Sequence, residues 1–193
     1  FDRLSRSVVS HFQVTEETEN VDVRALLVAG GGELRSFARE ITSYALEVCR
    51  ERGYPENKIR ILGRDQNDPT TSGEFVDALA ALAEPESDDQ IVRLFMFLAG
   101  DCTSDGVFVF QDGQSISAQN LIDELNTLQN QYESLEIVLL TDCPYSGHFV
   151  RANKTDRSGR RVVISGSSSR GSGIFVQGIS PMSFGKYFLH NAS

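Results

Sequence analysis

An α/β fold with a mostly parallel central sheet between two layers of helices is the class this sequence predicts. Three observations predict it. Short apolar runs, such as Ala25–Ala29, Val92–Leu98 and Val138–Leu140, are compact enough for buried strands. Stretches with apolar residues at helical spacing stand between them. Polar or glycine-rich turns join the two kinds of segment, an alternation that gives βαβ units and a parallel sheet.

The elements follow in order. Residues 1–22 are mixed and polar, with an acidic patch at Glu16, Glu17 and Glu19, and are read as an N-terminal arm or linker to a domain of residues 23–193. Arg24–Ala29 is a strand that ends in Gly30-Gly31-Gly32. Leu34, Phe37, Ala38, Ile41, Ala45 and Val48 mark a helix over 33–52, stopped by Gly53. Lys58–Leu62 is a strand. Thr71-x-x-Glu74 is a capping box opening a helix with Phe75, Leu79 and Leu82 on one face. Val92–Leu98 is a third strand, and Val107–Phe110 with Gln111–Gln114 a small hairpin. Ser117 caps a helix carrying Leu121, Ile122, Leu125 and Leu128. Glu136–Thr141 and Arg161–Ser165 are further strands, Tyr145–Arg151 opens a helix, and Ser183–His190 is the last helix.

Composition narrows the function. The chain has 193 residues, 40% hydrophobic and 23% charged, enough for one domain with a core. Its net charge of −9 argues against nucleic acid or an anionic membrane as partner. No apolar run approaches the roughly 20 residues that span a bilayer. No signal peptide is recognised, and the sequence is read as a soluble domain of a larger protein, its compartment unassigned. Three cysteines, Cys49, Cys102 and Cys143, form neither a disulfide framework nor a zinc pattern, and Cys49 lies within a helical repeat.

Two strands end in polar loops with a cysteine near the tip: Gly100-Asp101-Cys102-Thr103-Ser104-Asp105-Gly106, and Asp142-Cys143-Pro144-Tyr145-Ser146-Gly147-His148. The C-terminal edge of an open α/β sheet is where ligands bind. The glycine turn 30–32 lacks both the G-x-G-x-x-G spacing and the lysine of a phosphate loop, so a nucleotide-binding enzyme stays a minor alternative.

These motifs resemble the caspase-like fold, and within it the legumain and GPI-transamidase type of cysteine peptidase, over roughly Arg24 to Leu189. The resemblance implies a three-layer α/β/α sandwich. It also implies that the segment after the third strand holds a catalytic His. Aligning Gly106 and the hairpin puts Cys102 there, and a caspase-style alignment puts Asp101 there. The family's Asp/Glu-Ala-Cys-x-Ser-Gly becomes Asp142-Cys143-Pro144-Tyr145-Ser146-Gly147, with Pro144 at the nucleophile position and Cys143 one residue before it. Arg35, nine residues before Tyr44, matches an arginine lining the family's Asn/Asp pocket. With Tyr145, Ser165, Ser167 and Ser168 it makes the implied substrate-binding set, while Arg170-Gly171 stands where the family has an acidic pair.

A cysteine peptidase needs a thiolate and an imidazole in contact. Proline supplies no nucleophile and no N–H, and neither Cys nor Asp replaces His as acid and base near neutral pH. The reading is therefore a catalytically inactive pseudopeptidase that binds a protein or peptide, with no cofactor and no metal. The alternative is an active endopeptidase or transpeptidase using Cys143 with His148. A disulfide between Cys102 and Cys143 is open to neighbouring loops. Side-chain alternation aims Cys143 into the layer beneath the cleft, however, and that argues against the bond.

Overall fold

The protein is described here from a computed structural model, which covers residues 20–65, 67, 69–155, 160–171 and 184–191. Strands β1 (Val21–Ala29), β2 (Ile59–Leu62), β3 (Ile91–Ala99), β6 (Leu135–Asp142) and β7 (Arg161–Ser165) form one sheet in the order β2-β1-β3-β6-β7. Every neighbouring pair is parallel. Strands β4 (Val107–Val109) and β5 (Ser115–Ser117) make a separate antiparallel hairpin.

Parallel strands need crossovers, so helices cover both faces, and the central strands are apolar on both sides. In β1, Leu26 and Val28 face one core, while Ala25, Leu27 and Ala29 face the other. The first core takes α2 (Ser72–Ala83), α3 (Ala118–Gln131) and α4 (Gly147–Ala152) through Phe75, Leu79, Leu121, Leu125 and Phe149. The second takes α1 (Arg35–Glu51) and α5 (Phe184–Asn191) through Ala38, Ile41, Ala45 and Leu189. The three-layer α/β/α sandwich with a parallel sheet is thus observed.

Local signals set the helix ends. Thr71 Oγ1 accepts the Glu74 N–H at 3.1 Å and Glu74 Oε2 accepts the Thr71 N–H at 3.1 Å, completing the capping box. Ser117 Oγ accepts the Asn120 N–H at 3.1 Å. One boundary moves. Strand β1 starts at Val21, so Val21 and Asp22, read from sequence as part of the arm, belong to the sheet. Asp22 is tolerated at the strand start because Arg24 Nε and Lys58 Nζ donate to its carboxylate at 2.8 and 3.0 Å. The rest of the arm, residues 1–19, lies outside the described residues.

Cys49 is buried in α1, and burial pushes its thiol up to about 12. The folded state therefore favours the protonated thiol more than the unfolded chain does. Stability contributed by this group is complete below the ordinary thiol pKa and falls as pH rises through the window up to about 12. Urea unfolding at pH 8 and pH 10.5 should show a lower midpoint at the higher pH, with the gap narrowed in Cys49→Ala.

Candidate functional site

The sheet order reverses at β1: the chain steps out to β2 and returns to β3 on the other side. A crevice opens at such a point, beyond the carboxyl ends of the strands. The loops after β1, β3, β6 and β7 meet there, and they carry the residues singled out from sequence.

The side-chain alternation of β6 continues past its end. Leu135, Ile137 and Leu139 enter the first core, and Cys143 follows in the same series. Cys143 does face the layer beneath, as its position predicts, and it is 1% exposed. The disulfide that this direction was expected to disfavour forms nonetheless, because Cys102 turns into the same layer. The loop after β3 folds back on itself: Cys102 forms an isolated antiparallel bridge with Phe108, and Thr103 N–H donates to Val107 O at 3.0 Å. The two sulfurs are bonded, with the Cα atoms 5.7 Å apart. Both candidate sulfur nucleophiles are thus consumed by each other.

Asp101 is engaged by the backbone. Its Oδ2 accepts the Leu34 N–H at 3.1 Å, holding the turn that leads into α1. His148 lies on α4 with its Cβ and Cγ where a side chain on Gly106 would stand, and Gly106 itself has a φ of +75°. The structure shows no hydrogen bond from its imidazole to Cys143. Pro144 is half-buried in the turn, and Tyr145 follows at φ +57°. That left-handed conformation costs a non-glycine residue about 1 kcal/mol. The Tyr145 N–H donates to Gly171 O at 3.0 Å.

The serine-rich loop is tied to the β6 loop by hydroxyls. Ser167 Oγ donates to Cys143 O at 2.9 Å and accepts the Ser146 N–H at 2.9 Å. Ser146 Oγ accepts the Ser167 N–H at 3.1 Å. Ser165 Oγ donates to Ser167 O at 3.1 Å. Ser165 and Ser167 are therefore occupied by the protein itself, and exposed Ser168 accepts the Arg170 N–H at 3.2 Å. Asp142, 2% exposed, faces the opposite layer and accepts the Gly185 N–H of α5 at 2.9 Å.

Two of the three N–H groups of the glycine turn are taken by the protein's own backbone. Gly30 N–H donates to Ala99 O at 2.7 Å and Gly31 N–H to Val109 O at 2.8 Å. Further along the turn, the Leu34 N–H donates to the Asp101 carboxylate, which brings a negative charge to the place an anion would take. Among the described residues no group of three His, Cys, Asp or Glu side chains is placed to bind a metal ion. Among them, too, no helix is long and apolar enough to cross a membrane.

Sequence reasoning singled out Arg35 but missed its setting. Arg35 Nη2 and Arg39 Nη2 both donate to Gln111 Oε1, at 3.0 and 3.3 Å. Gln111 Nε2 is fixed in turn by Ala29 O and Gly63 O, at 2.9 and 2.8 Å. Two guanidinium groups one turn apart repel each other. They also sit near the positive end of the α1 dipole, with no acidic residue in the first turn to compensate. Arg35 Nε is buried and lacks a hydrogen-bond partner. The spacing of Arg35 and Arg39 at a helix start was visible in the sequence; Gln111, 76 residues away from Arg35, was not.

Two solved structures are similar to this chain in backbone. Raptor of Chaetomium thermophilum matches at TM-score 0.48 and 12% identity over 89% of this chain and 18% of its own length. Caspase-1 of Spodoptera frugiperda matches at TM-score 0.47 and 9% identity over 83% of this chain and 70% of that one. This chain therefore spans less than a fifth of the Raptor chain. No protein-family model and no curated protein matches the sequence.

Proposed function

We propose that this chain is a catalytically silent caspase/legumain-like module that binds a protein or peptide segment along the C-terminal edge of its sheet. The observation that carries the reading is the Cys102–Cys143 bond. A sulfur held in a disulfide is not a thiolate, and Pro144 between Cys143 and Tyr145 offers no nucleophile of its own. Catalytic machinery of this kind works as a unit, and losing one member costs about 10⁴–10⁶ in rate.

Binding is assigned to Arg35, with Arg39 and Gln111 as its support. A carboxylate or amide oxygen entering beside α1 would accept from the half-buried Arg35 guanidinium and relieve the repulsion between the two guanidinium groups. This fits a segment carrying Asp or Asn, the class that the legumain-type resemblance implies for Arg35. Exposed Ser168 and half-buried Tyr145 would border the bound segment.

The test uses fluorogenic peptides ending in Asp, Asn, Arg and Lys, and the same peptides with a fluorescein label. No turnover is expected. Fluorescence polarisation should show binding of the Asp and Asn peptides, weakened about 10- to 100-fold in Arg35→Ala, as for loss of a charge-assisted hydrogen bond. Gln111→Ala should weaken it less, because the arginine loses its orienting acceptor rather than its charge. Turnover that disappears in Cys143→Ala would instead establish the endopeptidase or transpeptidase alternative with His148. Binding indifferent to Arg35→Ala would remove the assignment of the site.

A further inference from the structure

We propose that the Cys102–Cys143 disulfide is a redox latch for this binding edge: closed, it holds the Arg35 turn and the serine loop in one arrangement; opened by a dithiol, it lets them part. The proposal rests on the binding reading above for its consequence, but not for its mechanics.

The mechanics follow from where the bond sits. Strands β3 and β6 are paired in register up to Ala99 and Asp142. At that point the ladder thins, the Gly100 N–H reaching Asp142 O at a long 3.4 Å. The disulfide begins immediately beyond, joining Cys102 to Cys143 across a sequence separation of 41. On the Cys102 side, the neighbouring Asp101 carboxylate holds Leu34 N–H, one residue before Arg35. On the Cys143 side, its carbonyl accepts from Ser167 Oγ, and the next turn is bound to Ser167 and Gly171 by the Ser146 and Tyr145 N–H groups. The covalent bond thus joins two loops, each hydrogen-bonded onward to a different part of the binding edge.

The redox step balances with a dithiol as the reductant. Its thiolate attacks one sulfur of the disulfide and forms a mixed disulfide, and the other cysteine leaves as a thiol. The reductant's second thiol then displaces the protein sulfur. The protein gains two electrons and two protons, and the dithiol becomes a cyclic or intramolecular disulfide. Cys102 and Cys143 are 7% and 1% exposed, so attack waits on local opening of the loops. Once formed, both thiols lie in the apolar layer with Phe108 and Phe149. The third cysteine does not interfere: Cys49 is buried elsewhere, with its thiol pushed up to about 12.

Hydrogen exchange read by mass spectrometry tests the latch on three samples: the oxidised protein, the same protein after dithiothreitol, and Cys102→Ala/Cys143→Ala. Reduction should speed exchange about tenfold or more in segments 143–147 and 166–171, the second of which carries no cysteine. The double variant should match the reduced protein and ignore dithiothreitol. Binding of the Asp-ended peptide should weaken about tenfold in parallel, following the loss of preorganisation. Unchanged exchange at 166–171 on reduction would overturn the latch, as would a peptide bound equally in both states. If exchange responds and no peptide binds in either state, the latch stands and the binding reading falls. Peptide hydrolysis that appears on reduction and is lost in Cys143→Ala would overturn both, making the bond a lock on a latent peptidase.

Discussion

Replacing Cys102 and Cys143 together by alanine is expected to lower the melting temperature by on the order of 10 °C. The bond closes a loop across 41 residues of sequence. The chain-entropy treatment gives about 4 kcal/mol for a loop of that size, and a chain of this length loses roughly 2–4 °C per kcal/mol. The two sulfurs also fill the layer beneath the sheet edge together with Phe149, so alanine removes packing as well as the cross-link. Thermal scans with and without dithiothreitol separate these effects. Reduction removes the cross-link alone and should account for most of the drop, while the double variant should be insensitive to the reductant. An unchanged melting temperature on full reduction, verified by thiol counting, would show that the bond contributes nothing to stability.

The second large effect concerns Gly30. A Cβ there would lie 2.6 Å from Phe108 Cζ, 2.8 Å from Val109 O and 3.2 Å from Ala99 O. A ring can swing aside. The two carbonyls cannot, because they accept the Gly31 and Gly30 N–H groups. Gly30→Ala should therefore push the β4–β5 hairpin off the sheet edge and cost about 2–4 kcal/mol, the range for overpacking a close-packed site with backbone displacement. The entropic gain of replacing glycine, up to about 1 kcal/mol, is too small to offset it. Gly113, in the hairpin turn with open space around it, makes a control for added side-chain bulk, with the strain of its φ of +83° as the only penalty. Chemical denaturation of the two variants should rank Gly30→Ala well below Gly113→Ala. The reverse order would show that the hairpin does not bear on the glycine turn.

The same glycine turn shows where sequence reading runs short. Three glycines after a strand are compatible with a phosphate cradle and with close backbone approach. The choice depends on whether their N–H groups are free. Val109 O and Ala99 O take two of the three, and they come from elements about 70–80 residues further along. The cysteines repeat the lesson. Strand alternation correctly sent Cys143 into the layer beneath the edge. It said nothing of Cys102, because a loop has no period, and the backward fold that pairs Cys102 with Phe108 carries that side chain into the same layer. Arg35 was legible as a residue of interest, whereas the glutamine that orients it was not.

What the sequence determined by itself is the part governed by local pattern: the α/β class, the order of strands and helices, the caps at Thr71 and Ser117, and the two polar loops at strand ends. Apolar spacing and capping act over a few residues, so the amino acids in that window suffice. Tertiary structure alone decided which loop groups meet: a bond between two cysteines, an aspartate on the turn before α1, two arginines on one glutamine. Those partners lie 41 to 76 residues apart, and their distances are set by how strands stack in the sheet rather than by anything in their own neighbourhoods.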